Sequence, residues 1–187
     1  MKIEILSVVG MSGAGKTMAL DYLKEKGMPK VYFGGMLYAE MDRRGIDKTP
    51  ENQVWFRQAL REEKGEDCLA QLAVEDIKKL AEAGQRRILL DGIHYMSEYR
   101  TVKRAFPGDM VQVGIIADKE VRYDRLAKRP ERPFNKEQAA ERDRSEIEAQ
   151  GIGNVIIMSD YFVMNNGTPE ELYEGLEELL RKTEFLD

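Results

Sequence analysis

Apolar residues along this chain recur with two different periods, and the switches between them mark its elements. Ile3-Glu4-Ile5-Leu6-Ser7-Val8-Val9 is β-branched and mostly apolar, as a strand covered on both faces should be. Met18, Leu20, Tyr22 and Leu23 follow at helical spacing, and Gly27 closes that helix. Val31-Tyr32-Phe33 reads as a short second strand ending at Gly34-Gly35. Helices are then predicted from Met36 to Arg44, from Glu51 to Lys64 behind a Thr49-Pro50 cap, and from Asp67 to Ala83. The last of these places Leu69, Leu72, Ala73, Ile77 and Leu80 inward. A buried strand over Ile88–Gly92 ends in the carboxylate of Asp91 and precedes a helix from Ser97 to Phe106. Met110–Ala117 is the fourth strand, followed by a helix capped by Asp118 and reaching Lys128 or Arg129. After a polar, proline-broken loop over 129–135, one helix is expected from Lys136 to Gln150. Tyr161–Met164 is the fifth strand, and Thr168-Pro169-Glu170-Glu171 is a capping box opening a final helix with Leu172, Leu176, Leu179 and Leu180 inward.

Strands that alternate with helices imply a parallel sheet covered on both faces, here a three-layer α/β fold with five strands. A length of 187 residues suits one domain, 1–187, in which 34–84 carries a helical insertion. Ligands of such sheets bind beyond the carboxyl ends of the strands. Three turns fall there: Gly10–Thr17, Gly34-Gly35 and the one after Asp91.

Gly10-Met11-Ser12-Gly13-Ala14-Gly15-Lys16-Thr17 fits the phosphate-binding loop pattern of Gly, four free positions, then Gly-Lys-Ser/Thr. It has the required strand before it and helix after it. Glycines at 10, 13 and 15, with Ser12 and Ala14 between them, let backbone N–H groups turn inward around phosphate oxygens. Lys16 is expected to reach the phosphates of ATP, and Thr17 to offer its hydroxyl to Mg²⁺. A helix starting at Gly15 adds its positive end.

Several charges stand where local pairing does not account for them. Arg125 and Arg129 lie one helical turn apart, with Val121, Arg122 and Lys128 where an acidic partner would be. Arg57 and Arg61 repeat the pattern, since Gln53, Val54, Leu60, Lys64 and Gly65 offer them no carboxylate. Both couples read as anion sites. Arg122 has Asp118 one turn earlier as its expected partner; Arg142 and Arg144 have Glu146 and Glu148 one turn on. Asp91 at the end of an apolar strand needs compensation, expected from Mg²⁺-bound water or from substrate. His94, the only histidine, lies at the same cleft edge. It is either a substrate contact or a structural residue. Trp55 and Phe56 are expected in the core.

Composition narrows the class. Hydrophobic residues make up 42% and charged residues 34%, and the net charge of -5 argues against non-specific nucleic acid or anionic membrane partners. Anionic ligands must then meet local basic clusters. The one cysteine, Cys68, excludes an intrachain disulfide and a multi-cysteine zinc site, and reads as a small core residue. No signal segment or membrane-length apolar run is visible, so the chain reads as cytoplasmic. Composition does not fix an oligomeric state.

Taken together, these segments resemble the nucleoside monophosphate kinase and dephospho-coenzyme A kinase superfamily of phosphate-loop enzymes. Gly34-Gly35-Met36-Leu37-Tyr38-Ala39-Glu40 is similar to the adenylate-kinase segment that receives the acceptor nucleotide, and Leu89-Leu90-Asp91-Gly92-Ile93 to its third-strand motif. Arg125-Leu126-Ala127-Lys128-Arg129 looks like the start of its lid, here a short one over 125–144 without cysteines. From Lys136 to Leu180 the pattern, including Asn165-Asn166-Gly167-Thr168, is closer to dephospho-coenzyme A kinases and archaeal adenylate-kinase-like proteins. Two departures stand out. Tyr38 occupies a position where adenylate kinases usually carry an arginine, and Ile93-His94-Tyr95 replaces Phe-Pro-Arg.

The resemblance implies an ATP- and Mg²⁺-dependent kinase acting on a small nucleotide acceptor. Lys16, Asp91, Arg125 and Arg129 would be catalytic, Gly10 to Thr17 with Arg125 and Gly167 would hold ATP, and Thr17 with Asp91 (through water) the metal. Gly35, Tyr38, Arg57, Arg61 and His94 would hold the acceptor. A nucleoside monophosphate is favoured, because a hydroxyl acceptor needs a base and Gly34-Gly35 stand where dephospho-coenzyme A kinases carry acidic residues. Dephospho-coenzyme A, or a regulatory ATPase with a macromolecular partner on the same scaffold, are the alternatives.

Overall fold

The first strand, β1 (Glu4–Val9), divides its side chains between two hydrophobic cores. Ile5 and Val9 enter one and Leu6 and Val8 the other, as the two-residue period of a strand requires. The same division holds in β3 (Arg87–Asp91), where Ile88 and Leu90 face one core and Leu89 the other. A strand buried on both faces has to read as a continuous apolar run, and these do.

The computed structural model describes residues 3–183 and Phe185. The remaining strands are β2 (Lys30–Tyr32), β4 (Met110–Ile116) and β5 (Tyr161–Met164). The helices are α1 (Lys16–Glu25), α2 (Phe33–Arg43), α3 (Pro50–Lys64), α4 (Cys68–Glu82), α5 (Met96–Ala105), α6 (Lys119–Ala127), α7 (Lys136–Arg144), α8 (Ile152–Ile157) and α9 (Pro169–Lys182). All strand pairs are parallel, in the order β2-β3-β1-β4-β5. This is the five-stranded α/β architecture expected of a phosphate-loop protein. Helices α2 to α5 and α8 cover one face, while α1 and α9 cover the other. Because β1 lies between β3 and β4, the connections on its two sides diverge at its carboxyl end and open a crevice there.

The caps read from sequence are present at two helices. Thr49 Oγ1 accepts from Asn52 N–H at 3.2 Å, and Thr168 with Glu171 forms a reciprocal box whose two bonds are each 3.3 Å. Asp118 sits at the N-cap of α6, but its side chain makes no capping bond.

Other expectations need correction. Strand β2 stops at Tyr32, and Phe33 already begins α2, so Gly34 and Gly35 form the first helical turn rather than a loop. The helix expected over 136–150 ends at Arg144 and passes into a π-helical turn, Ser145–Ala149. The short α8 that follows was not anticipated; it docks through Gln112 Nε2, which donates to the Val155 carbonyl at 2.8 Å. Phe56 is buried but Trp55 is 58% exposed, because consecutive helical residues point about 100° apart and α3 buries one face only. On α4 the buried stripe runs through Cys68, Leu69, Ala70, Ala73, Val74 and Ile77, leaving Leu72 half-exposed. Among the described residues no helix is long and apolar enough to cross a membrane.

Candidate functional site

The Gly10–Thr17 loop leaves the carboxyl end of β1 and becomes α1 at Lys16. Gly13 and Gly15 adopt φ values of 81° and 104°, which L side chains rarely tolerate. Space is tight as well: a Cβ on Gly13 would lie 2.7 Å from the Arg122 carbonyl oxygen, and one on Gly15 would strike Asn165 Nδ2. The loop is thus clamped from two sides. Asn165, which is buried, donates from Nδ2 to the Ala14 carbonyl at 2.8 Å, and Arg122 Nη1 donates to the Ser12 carbonyl at 3.0 Å.

Within the loop, Lys16 Nζ donates to the carbonyls of Gly10 (2.6 Å) and Met11 (3.2 Å). Burial lowers the ammonium's pKa, partly offset by the nearby carboxylates of Glu146 and Asp91. Thr17 is exposed, and its hydroxyl has no protein partner among the described residues. Asp91, at the end of β3, lies 3.6 Å from Lys30 Nζ of β2. Burial raises its pKa, while Lys30 and Lys16 pull it back down. Lysine from the neighbouring strand thus supplies compensation that the sequence reading assigned to metal-bound water or substrate alone. No cluster of three metal-ligating side chains occurs among the described residues. A hydroxyl at Thr17 without a partner among the described residues, in a cleft that Asp21 also lines, fits Mg²⁺ of the kind that takes most of its ligands from water and phosphate oxygens.

The arginine couples line two separate cavities. A cleft of about 730 Å³ is lined by Gly13, Lys16, Thr17, Tyr173, Arg125 and Arg129. A smaller cavity of about 90 Å³ is lined by Gly34, Arg57, Arg61, His94, Glu98 and Arg142. The first couple thus shares its cavity with the phosphate loop, and the second shares its own with His94.

The pairing of these arginines differs from the local reading. Arg125 is not free: it donates to the Asn165 carbonyl (2.8 Å), Asn165 Oδ1 (3.3 Å) and the Gly167 carbonyl (3.2 Å), all from the β5–α9 loop. Arg61 donates to Glu98 Oε1 at 3.0 Å and its guanidinium stacks 3.8 Å from the Tyr95 ring centroid. Arg57 and Arg129 do lack partners among the described residues. Arg122 pairs with Asp143 rather than Asp118, through bonds of 2.7 and 2.6 Å. Arg142 meets Glu146 at 2.9 Å as expected, but Arg144 turns to Glu141. Arg144 thus keeps a helical neighbour, one turn back instead of one turn on, while a loop and more distant helices hold Arg125, Arg122 and Arg61.

Glu98, 1% exposed, organises the wall of the smaller cavity. Its Oε2 accepts the backbone N–H groups of His94 (2.9 Å) and Tyr95 (3.2 Å), while Oε1 takes Arg61. Burial and the positive charge of Lys16 lower the His94 pKa to about 4, so its ring is neutral near pH 7. His94 Nδ1 and Arg61 Nε are buried without a partner among the described residues, which leaves polar atoms for a ligand or water to satisfy. Gly35 and Tyr38 stand outside this cavity. Gly35 lines a separate groove with Asp76 and Lys79, and the Tyr38 hydroxyl donates to Gln53 Oε1 at 3.2 Å.

Residues that sequence reasoning did not assign to the site include Glu146, Asp143, Asn165 and Lys30. Ser12 donates its backbone N–H to Glu146 Oε2 at 3.0 Å and its hydroxyl to Oε1 at 2.6 Å. Burial opposes that charge, but the Ser12 bonds and the cations Arg142 and Lys16 outweigh it and hold the carboxyl below its ordinary range. The only trace in sequence was Arg142 four residues before Glu146.

Known proteins extend these observations. A family model described as an AAA domain matches residues 6–149. A UPF0200 protein of Thermococcus onnurineus is 34% identical, over 95% of this chain and 97% of its own length. Among solved structures, TT1252 from Thermus thermophilus superposes with a TM-score of 0.71 at 15% identity, covering 97% of this chain and 98% of its own. A shikimate kinase from Bacteroides thetaiotaomicron superposes with a TM-score of 0.60 at 13% identity, with the same coverage. These structural likenesses speak for the fold.

Proposed function

From a chain that belongs to the AAA-domain and UPF0200 protein families, we propose an ATP-dependent phosphotransferase acting on a small anionic acceptor, with a nucleoside monophosphate as the leading candidate. One observation carries the reading: the two arginine couples line separate cavities, Arg125 and Arg129 with the phosphate loop and Arg57 and Arg61 with His94, which suits a donor and an acceptor. A protein that only hydrolysed or sensed a nucleotide would need the first alone.

In this reading the amides of Gly10 to Thr17 and the Lys16 ammonium hold the triphosphate, with Arg125 bordering the donor cleft and Gly167 accepting from it. Mg²⁺, held through Thr17 and by water on Asp91, would neutralise charge between the phosphates. Arg129, at the cleft without a partner among the described residues, would close over the transferring group and offset charge on its equatorial oxygens. Arg57, with His94 and the Glu98-anchored Arg61, would hold the acceptor. The segment 34–84 would act as the acceptor-binding insertion and 125–144 as the lid.

The small volume of the acceptor cavity favours a second reading. About 90 Å³ holds only part of a nucleotide unless α3 moves outward, and a compact hydroxy acid of the kind a shikimate kinase phosphorylates would need less of that opening. A coupled ADP-release screen over nucleoside monophosphates, dephospho-coenzyme A, shikimate and gluconate tests both. Turnover with a nucleoside monophosphate supports the first reading. ATP hydrolysis indifferent to every acceptor, but stimulated by RNA or protein, would replace both with a regulatory ATPase.

A further inference from the structure

The phosphate loop already grips an anion, and that anion belongs to the protein. Glu146 is 2% exposed, and its two oxygens take the backbone N–H and the hydroxyl of Ser12 in the middle of the loop. Arg142 Nε closes the arrangement, donating to Glu146 Oε1 at 2.9 Å and lying 3.4 Å from Ser12 Oγ. A carboxylate held by a main-chain amide, a hydroxyl and a guanidinium has the surroundings a phosphate oxygen would have.

We propose that Glu146 is a latch: its carboxylate occupies the Ser12 donors that a terminal phosphate would use, and it must withdraw before a nucleoside triphosphate seats fully. This rests on the donor-site reading above and concerns how that site is controlled. A loop amide can serve the carboxylate or a phosphate oxygen but not both well, and the two anions repel at that range. Glu146 is carried by the π-helical turn 145–149 between α7 and α8. Such turns are rare and less favourable than α-helix, so this segment can rearrange without dismantling a long hydrogen-bonded ladder. A role as general base suits Glu146 poorly, because all three donors stabilise the charged form and hold its pKa below the ordinary range.

If the latched state dominates, the apparent affinity for triphosphate is reduced by the fraction that is open. Glu146→Gln keeps the shape and removes the charge; Glu146→Asp keeps the charge but shortens the reach to Ser12. Calorimetric titration of each purified protein with Mg²⁺ and a non-hydrolysable ATP analogue, beside ligand-free melting curves, is the test. Binding about tenfold tighter in Glu146→Gln, a smaller gain in Glu146→Asp, and a lower ligand-free melting temperature are expected. Equal affinities in wild type and both variants would overturn the latch and leave the donor site standing. Weaker binding in the variants would make Glu146 a support for the ligand and overturn the latch too. No binding in any form would overturn the donor-site reading and the latch with it.

Discussion

Arg122 and Asp143 meet through two short hydrogen bonds, 2.7 and 2.6 Å, with side chains only 9% and 12% exposed. The same guanidinium donates to the Ser12 carbonyl, so this pair ties α6 and α7 to the phosphate loop. Removing one partner strands a buried charge. Asp143→Ala is expected to cost about 3 kcal/mol or more, seen as a melting point lowered by about 10 °C. Replacing both residues by apolar ones of similar size should cost less than this single change, though the Ser12 carbonyl then loses its donor. Differential scanning calorimetry of the single and double variants decides the matter.

Lys16 is held by two loop carbonyls, and burial disfavours its ammonium charge, so its removal takes little from the fold. Lys16→Ala should therefore abolish phosphoryl transfer while leaving circular dichroism and melting temperature nearly unchanged. Turnover equal to that of wild type would remove the loop from the reaction.

Arg125 and Arg129 should separate kinetically. Arg129 has no partner among the described residues and is exposed at the donor cleft, so Arg129→Ala is expected to lower kcat by orders of magnitude with a smaller change in KM for ATP. A rise in KM alone would deny it a transition-state role. Arg125 anchors the β5–α9 loop through three acceptors, so Arg125→Ala should also lower the melting temperature.

The His94 imidazole, with a pKa of about 4 when folded against 6.5 in an unperturbed chain, makes stability depend on pH. Between those values the unfolded chain binds the extra proton. The contribution is complete above pH 6.5 and is lost as the pH falls through the window towards 4. Stability at pH 5 should fall below that at pH 7.5 by an amount on the order of 1–2 kcal/mol from this residue. Urea unfolding of wild type and His94→Gln at both pH values measures it. The variant should lack that component, and identical pH dependence in the two proteins would place the ring in contact with water.

Gly13 offers a steric test of how tightly the loop is clamped. Gly13→Ala combines a φ of 81° with a Cβ 2.7 Å from a backbone oxygen, and neither α6 nor the loop can yield without disturbing the Ser12–Arg122 bond. A destabilisation of about 1–3 kcal/mol is expected, together with weakened ATP binding in a calorimetric titration.

What the sequence determined by itself is the scaffold and the phosphate loop. Strands such as Ile88-Leu89-Leu90 declare themselves because burial on both faces forces an unbroken apolar run, and Gly13-Ala14-Gly15-Lys16 because backbone geometry and phosphate charge permit few alternatives. Helix ends at Thr49 and Thr168 were legible for a related reason, since a cap satisfies donors within three residues of itself. Only the tertiary structure decided how the charges pair. Arg122 finds Asp143 across 21 positions, Arg61 finds Glu98 across 37, and Ser12 finds Glu146 across 134. Periodicity ranks partners one turn away, but a buried ion is held by whichever opposite charge the packing delivers within hydrogen-bonding distance, at any separation along the chain.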